Sequence, residues 1–144
     1  LSLHDALPIL PTKVVNRMYD KDYFSQWLGI ERVEEGAGTS RLRMTVRKDM
    51  LNGFGIAHGG ITYSLADSAL AFACNSHGKK AVSVETSISH LVQLKEGDEI
   101  FANAKELSRS NKIGLYDVSI TNANGELVAS FKGTVYRTSK DWDV

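Results

Sequence analysis

The feature that most constrains this chain is one long stretch in which a single side chain carries a formal charge. The sequence of residues 52–78 is NGFGIAHGGITYSLADSALAFACNSHG, and Asp67 is its only acidic residue. The Ala, Leu and Phe content of 61–76 favours a helix over a strand at that length. Apolar side chains recur along it at helical spacing, at Ile61, Leu65, Ala69, Phe72 and Ala73. A helix that is apolar on most sides is buried, so the rest of the chain has to cover it.

The sequence on either side of this helix alternates in the manner of strands. A hairpin is predicted before the helix, with Gly36 and Gly38 at its turn, and one or two short helices precede it within 14–28. After the helix we predict four long strands, at 81–94, 99–107, 113–122 and 127–137. This order predicts an α+β fold, in which a curved antiparallel sheet wraps around one long central helix.

Composition narrows the classes of partner. The 144 residues carry 17 basic and 17 acidic side chains, so no net charge favours a nucleic acid or an anionic membrane. The one cysteine, Cys74, can form no disulfide within the chain, which favours a cytoplasmic protein. No apolar segment approaches the roughly 20 residues that cross a bilayer. The first twelve residues, LSLHDALPILPT, fit poorly with the rest of the chain, so we expect 1–12 to be a non-native or disordered extension and 13–140 to form one domain.

Asp67 needs an explanation, because burying an unpaired acid costs several kcal/mol, as an order of magnitude, or forces protonation. One explanation is structural: Ser64, three residues earlier on the same helical face, can satisfy the carboxylate. The other is that Asp67 is a reactive group. Composition alone leaves both open.

The residues that precede the helix offer a place for negative charge. His58, Gly59 and Gly60 stand where free backbone N–H groups and the positive end of the helix dipole point outward, which suits an anion or an oxyanion. The alternative is that the glycines only allow the loop to approach the helix. The His-Gly-Gly sequence alone does not distinguish the two.

The spacing of these groups limits how they can cooperate. Gly59 and Asp67 are eight residues apart, so one straight helix separates them by about 12 Å along its axis. A base or nucleophile and an oxyanion donor must each lie within roughly 3 Å of the same reacting group. We therefore predict a homodimer in which two copies of the helix pass antiparallel and the sites lie at the subunit interface.

At these residues the chain resembles the hot-dog-fold acyl-CoA thioesterases, and most closely the phenylacetate-degradation (PaaI-type) branch. The resemblance is densest in MLNGFGIAHGGITYSLADSALAFACNSHG, AVSVETSISHLVQLKEGDEI and GLYDVSITNANGELVASFKG. It implies a sheet of five or six strands around one long helix, and dimers that pair into tetramers. It also implies hydrolysis of phenylacetyl-CoA, hydroxyphenylacetyl-CoA or related aryl and medium-chain acyl-CoA thioesters.

The resemblance also implies roles for individual residues. Asp67 would act as nucleophile or as general base for water, and the N–H of Gly59 would polarise the thioester carbonyl. His58 would flank that N–H, Asn52 would place water or the acyl group, and Ser83 would orient the attacking water. Substrate binding is implied for Ser68, where the branch often has threonine, and for His90, Ser108, Arg109, Ser110, Asn111 and Lys112, near the coenzyme's pantetheine and nucleotide.

Two other functions remain as alternatives on this fold. A hydratase or dehydratase usually pairs a His with an acid, but nine residues at about 100° each place His58 and Asp67 on opposite sides of the helix. A non-catalytic binder of acyl-CoA would have no use for a solitary acid beside the thioester. The histidines lack metal-ligand spacing, so we expect no metal and no cofactor beyond the CoA of the substrate. Candidate walls for an acyl pocket are Phe54, Tyr63, Leu70 and Leu91.

Overall fold

The computed structural model describes residues 9–144 of the chain. It begins with two short helices, α1 (Leu10–Asp20) and α2 (Tyr23–Trp27). Helix α1 starts inside the segment 1–12 that we expected to lie outside the domain: Pro11 stands in its first turn, where proline is well tolerated, and is buried. The expectation for residues 1–8 lies outside the described residues.

The strands form a single antiparallel sheet that confirms the predicted fold. Its six strands run in the order β1-β2-β4-β5-β6-β3. Their bounds are β1 (Glu31–Gly36), β2 (Thr39–Thr45), β3 (Lys79–His90), β4 (Glu99–Arg109), β5 (Ile113–Asn122) and β6 (Leu127–Asp141). A short 3₁₀ helix, Lys48–Met50, follows β2. The predicted hairpin is present. Alternation in its first strand would bury Val33, but a bulge between Arg32 and Glu34 interrupts that alternation and leaves Val33 46% exposed.

The ends of the long strands differ from the prediction for reasons of pairing. Strand β3 ends at His90 rather than 94, because the regular pairing with β6 stops there: the N–H groups of Leu91 and Val92 both donate to the carbonyl of Val128. Strand β6 continues to Asp141 rather than 137, because it pairs with β3 as far back as Lys79. Both ends depend on a partner strand far away in sequence.

The long helix α3 (Gly59–Asn75) lies in the concave side of the sheet and supplies much of the core. Leu65, Ala69 and Phe72 are at most 1% exposed, in line with the predicted burial of this helix. The sheet approaches closely at Gly133, where an added Cβ would lie 2.5 Å from a methyl carbon of Leu70. Glycine is therefore required there to let the helix pack against β6.

A polar cluster follows the carboxyl end of α3. The Tyr116 hydroxyl donates to Oε1 of Glu106 at 2.7 Å, and Nε2 of His77 lies 2.8 Å from the same oxygen. Burial alone would raise the pKa of Glu106, but these hydrogen bonds outweigh it and lower that pKa below its usual value. The cluster links β4 and β5 to the turn that leaves the helix.

One edge of the sheet is long and incompletely covered. In β3 the side chains of 82–85 are all exposed, although successive residues point to opposite faces. Val82 and Val84 are 59% and 62% exposed. An apolar edge of this length offers unpaired backbone groups to another strand. Within residues 9–144, no helix is both long and apolar enough to cross a bilayer.

Candidate active site

The amino end of α3 is capped by His58. Its Nδ1 accepts the Gly60 N–H at 2.8 Å, so this nitrogen is unprotonated and the ring proton of a neutral imidazole is on Nε2. The N–H of Gly59, the first helical residue, has no acceptor among residues 9–144. It therefore remains free to donate, at the positive end of the helix dipole.

A cavity of about 280 Å³ opens beside this free N–H. Asn52, Gly59 and His90 all line it, together with Leu91 and other apolar side chains. The Oδ1 of Asn52 accepts the N–H of Phe54 at 2.9 Å and so shapes the turn before the helix. These predicted site residues therefore lie together, with an N–H donor at the wall of the cavity.

His90, at the end of β3, lies directly against the start of the helix. Its Nδ1 is 3.3 Å from the Thr62 hydroxyl, and its Nε2 would be 3.0 Å from a Cβ added at Gly59. The Thr62 hydroxyl in turn donates to the carbonyl of Gly59 at 3.0 Å. Glycine at position 59 leaves room for the imidazole beside the free N–H.

Asp67 is half-buried near the middle of α3. Burial raises the pKa of its carboxyl, and the negative charge of Asp22 raises it further. Ser64 does not satisfy this carboxylate: its hydroxyl donates to the Gly60 carbonyl at 2.8 Å. The structural explanation considered from the sequence is therefore wrong for Ser64, since a serine in a helix readily bonds the carbonyl four residues earlier.

A second cavity, of about 410 Å³, lies beside Asp67 and is separate from the first. Ser83 lines it as well, so the predicted carboxylate and the predicted water-orienting hydroxyl lie together. Leu70, Ala71 and Ala81 contribute apolar wall. One chain therefore places the N–H donor in one cavity and the carboxylate in another.

Ser68 bonds the amino-terminal helices rather than facing either cavity. Its hydroxyl lies 2.8 Å from that of the fully buried Ser25, which donates to Asp22 at 2.7 Å. Asp22 caps α2 by accepting the Ser25 N–H at 3.0 Å. The network holds Asp22, the residue that raises the pKa of Asp67, in place beside α3.

The turn between β4 and β5 lines neither of these two cavities. Of the other predicted substrate contacts, Ser108 and Arg109 end β4, and Ser110, Asn111 and Lys112 form the turn. All five are exposed. Nη1 of Arg137 donates to the carbonyl of Ser110 at 2.8 Å and orders the turn. Asn111, Lys112 and Arg137 line a polar cavity of about 400 Å³ there.

The four predicted apolar walls fall in different places. Leu70 lines the cavity of Asp67, and Leu91 lines that of Gly59. Tyr63 packs edge-on against Phe131 with the ring centroids 5.3 Å apart, as a partly buried residue beside the core. Phe54 is 90% exposed on the loop before the helix and lines neither of the two cavities.

Sequence reasoning missed two residues, one near Asp67 and one in the wall of its cavity. Asp22 is 45 residues away in the chain, and its only local signal is the cap that it forms with Ser25. Trp142 lies in a charged tail, SKDWDV, and lines the cavity of Asp67. An isolated tryptophan among charged residues was the one available sign that this tail packs against the domain.

Comparison with known proteins identifies relatives over most of the chain. A model of the thioesterase superfamily matches residues 54–129. A putative esterase from Archaeoglobus fulgidus is 39% identical over 130 residues, which cover 90% of this chain and 84% of the relative. The acyl-coenzyme A thioesterase PaaI of Escherichia coli is 38% identical over 120 residues, covering 83% of this chain and 86% of that protein.

Solved structures give the same picture. The structure of the Escherichia coli PaaI protein from the phenylacetic acid degradation operon superposes with a TM-score of 0.89 at 35% identity, and covers 91% of this chain and 95% of that one. A Streptococcus mutans protein bound to acetyl CoA superposes with a TM-score of 0.76 at 27% identity, covering 78% of this chain and 91% of that one.

Proposed function

Because the chain belongs to the thioesterase superfamily, we propose that its two cavities together hydrolyse phenylacetyl-CoA, hydroxyphenylacetyl-CoA or related aryl and medium-chain acyl-CoA thioesters. The protein is an acyl-CoA thioesterase, and its products are a free acid and CoA. The observation that carries the proposal is the presence, on one helix, of a free N–H at Gly59 and a half-buried carboxylate with a raised pKa at Asp67. With an aryl acyl group the enzyme would serve phenylacetate degradation, as the resemblance implies.

The chemistry needs only these groups. The N–H of Gly59 donates to the carbonyl oxygen, where negative charge develops as the tetrahedral intermediate forms. Asp67 either takes a proton from the attacking water or attacks the carbonyl carbon itself. In the first case the C–S bond breaks and the proton taken from water passes to the leaving thiolate, so the free acid and CoA are released. In the second case the thiolate leaves as the acyl–Asp67 anhydride forms, and water then hydrolyses that anhydride, which gives the free acid, regenerates the carboxylate and supplies the proton for the thiolate. A raised pKa makes the Asp67 carboxylate a stronger base than an ordinary aspartate.

This reaction requires no metal or further cofactor in our proposal, because a thioester carbonyl is electrophilic and a thiolate leaves readily. The CoA portion would lie along the turn from Ser108 to Lys112, where Lys112 and Arg137 supply positive charge for phosphate groups. We also place the enzyme in the cytoplasm, consistent with one buried cysteine that forms no disulfide in the described chain.

We propose a homodimer in which strand β3 pairs antiparallel with its copy. Ser83 borders the Asp67 cavity and His90 borders the Gly59 cavity, both on this strand. Residues seven apart would face opposite sides of a regular strand, but a bulge between Ser83 and Glu85 brings both to the helix side. Pairing centred between Thr86 and Ser87 then sets Ser83 of one copy beside His90 of the other. We further expect two such dimers to form a tetramer, as the resemblance implies.

The dimer is tested by mixing Asp67→Ala and Gly59→Pro subunits, each inactive as a homodimer. Equal mixing produces heterodimers as about half of the population, each with one intact site of two, so activity returns to about a quarter of the parent's. Mixing either variant with itself is the control. If the mixed sample stays inactive while a size measurement shows that subunits have exchanged, the shared site is excluded.

The reaction is tested by release of free thiol across a panel of acyl-CoA thioesters, with Asp67→Asn as the variant. We expect loss of turnover by orders of magnitude with little change in the unfolding midpoint. Hydrolysis of the panel by Asp67→Asn at the parent's rate would remove Asp67 from the mechanism. Binding of acyl-CoA by the parent without any thiol release would favour the non-catalytic binder. Hydration of an enoyl-CoA is disfavoured, because Nδ1 of His58 is occupied by the Gly60 N–H.

A further inference from the structure

The side chain of Trp142, from the segment after β6, lines the Asp67 cavity beside Asn75, eight residues along α3 from Asp67. Its indole Nε1 donates to Oδ1 of Asn75 at 2.8 Å, and its backbone N–H donates to the Gly78 carbonyl at 2.8 Å. The Nζ of Lys80 lies 4.9 Å from the centre of the indole ring. Contacts on the ring nitrogen, the ring face and the backbone therefore hold the indole in one orientation.

The acceptor of that indole bond is itself immobile. Asn75 is 2% exposed, and its amide exchanges hydrogen bonds with the backbone of Ala81: Nδ2 donates to the carbonyl at 3.0 Å and Oδ1 accepts the N–H at 2.9 Å. Nδ2 also donates to the Ala71 carbonyl at 2.8 Å. Trp142 is thus anchored to a buried amide that joins α3 to β3, and the wall it forms is rigid.

The cavity between Asp67 and Trp142 is long and mostly apolar. One face of α3 lines it, through Asp67, Leu70, Ala71, Cys74 and Asn75. Asp67 and Asn75 are eight residues apart, or about 12 Å along the helix axis. Burial raises the pKa of the Cys74 thiol to about 12, so it stays protonated and acts as apolar wall.

We propose that Trp142 is a specificity-determining residue that sets the longest acyl group the enzyme accepts. This rests on the proposed function, since it takes Asp67 as the end at which the thioester reacts. An extended chain advances about 1.2 Å per bond, from a rise of about 3.5 Å over the three bonds of a residue, so the cavity holds roughly ten bonds. Aryl and medium-chain acyl groups fit this length, and longer chains meet the indole ring.

The test compares Trp142→Ala with Trp142→Phe on straight-chain acyl-CoA thioesters of eight to sixteen carbons. The readout is the ratio of kcat/KM for the sixteen-carbon to the eight-carbon substrate. Each methylene that gains apolar surroundings is worth about fourfold in affinity, so two of them raise this ratio at least about tenfold in Trp142→Ala. Trp142→Phe, which keeps a smaller ring, raises it less. Trp27→Ala, an exposed tryptophan on α2, is the matched control and leaves the ratio unchanged.

A ratio that stays at the parent's value in both Trp142 variants, with thiol release intact, overturns the inference. A binding measurement covers a variant that fails to fold: in Trp27→Phe the only tryptophan is Trp142, and addition of decanoyl-CoA, whose chain is long enough to reach the indole, has to change its emission. Unchanged emission at saturating ligand also overturns the inference. An emission change in a protein that releases no thiol from any substrate refutes the proposed hydrolysis but supports Trp142 as the end of the acyl cavity.

Discussion

Replacing Gly59 by proline removes one N–H donor while leaving α3 able to begin. Gly59 is the first residue of the helix, a position where the fixed φ of proline fits and its missing N–H breaks no helical hydrogen bond. Alanine at the same position adds a Cβ, as proline does, but keeps the N–H. The difference between the two variants therefore isolates the donor.

Both variants have to accommodate the added Cβ. It would lie 3.0 Å from Nε2 of His90, a contact that the exposed imidazole relieves by moving a few tenths of an ångström. We expect Gly59→Ala to lose less than about tenfold in kcat/KM, which is about 1.4 kcal/mol. Gly59→Pro loses a hydrogen bond to the developing oxyanion, and should fall about a hundredfold to a thousandfold, or roughly 3 to 4 kcal/mol.

Initial rates of thiol release at limiting and saturating acyl-CoA measure both variants. The loss in Gly59→Pro should lie in kcat rather than in KM, because the hydrogen bond strengthens only as charge develops on the oxygen. Unfolding midpoints within a few degrees of the parent's show that the helix still forms. Equal losses in the alanine and proline variants would mean that crowding of His90, and not the absent N–H, reduces the rate, and the oxyanion assignment would fail.

Three further changes test other parts of the structure. Asp22→Asn keeps the α2 cap but removes the negative charge near Asp67, so the pKa of Asp67 falls. The acid limb of the pH profile of kcat/KM should therefore move to lower pH. An acid limb that does not move would contradict the effect of Asp22 on Asp67. Glu106→Gln lowers the free energy of urea unfolding at pH 7 by about 1 to 2 kcal/mol. Because the folded pKa of Glu106 is lowered, that difference is full above the ordinary glutamate pKa of about 4.3 and shrinks as pH falls through the lower folded pKa. A pH-independent difference would mean that the Glu106 carboxylate does not carry the stabilisation. Gly133→Ala overpacks Leu70 and should cost about 1 to 3 kcal/mol in the same assay.

The elements that periodicity defines were predictable. The buried helix, the hairpin around Gly36 and the strand 113–122 follow from local patterns of apolar residues, which sequence displays directly. The strand ends at His90 and Asp141 were not, because each depends on how far a distant partner strand continues. The exposed Val33 shows the same limit, since a bulge changes which residues face the core without changing composition.

The residues of the candidate site also divide into those that the sequence predicted and those that it did not. The helix-borne groups, Gly59 and Asp67, were predictable with their separation, because helical rise converts residue number into distance. The roles of Asn52 and Ser83 came from the resemblance and not from spacing. The resemblance grouped His90 with the coenzyme contacts near Ser110, whereas the structure places it against Gly59. Residues brought in by tertiary packing alone, such as Asp22 and Trp142, carry no periodic signal.

The uncovered edge of β3 has a consequence for how the enzyme responds to its surroundings. If the two halves of each site meet only across that edge, an isolated subunit has no turnover, and specific activity falls on dilution below the dissociation constant of the pair. A thioester that contacts both halves binds the pair and not the single subunit, so by linkage it promotes association. At low enzyme concentration, the substrate would then promote formation of the active dimer. The initial rate would rise with substrate concentration more steeply than a simple hyperbola allows.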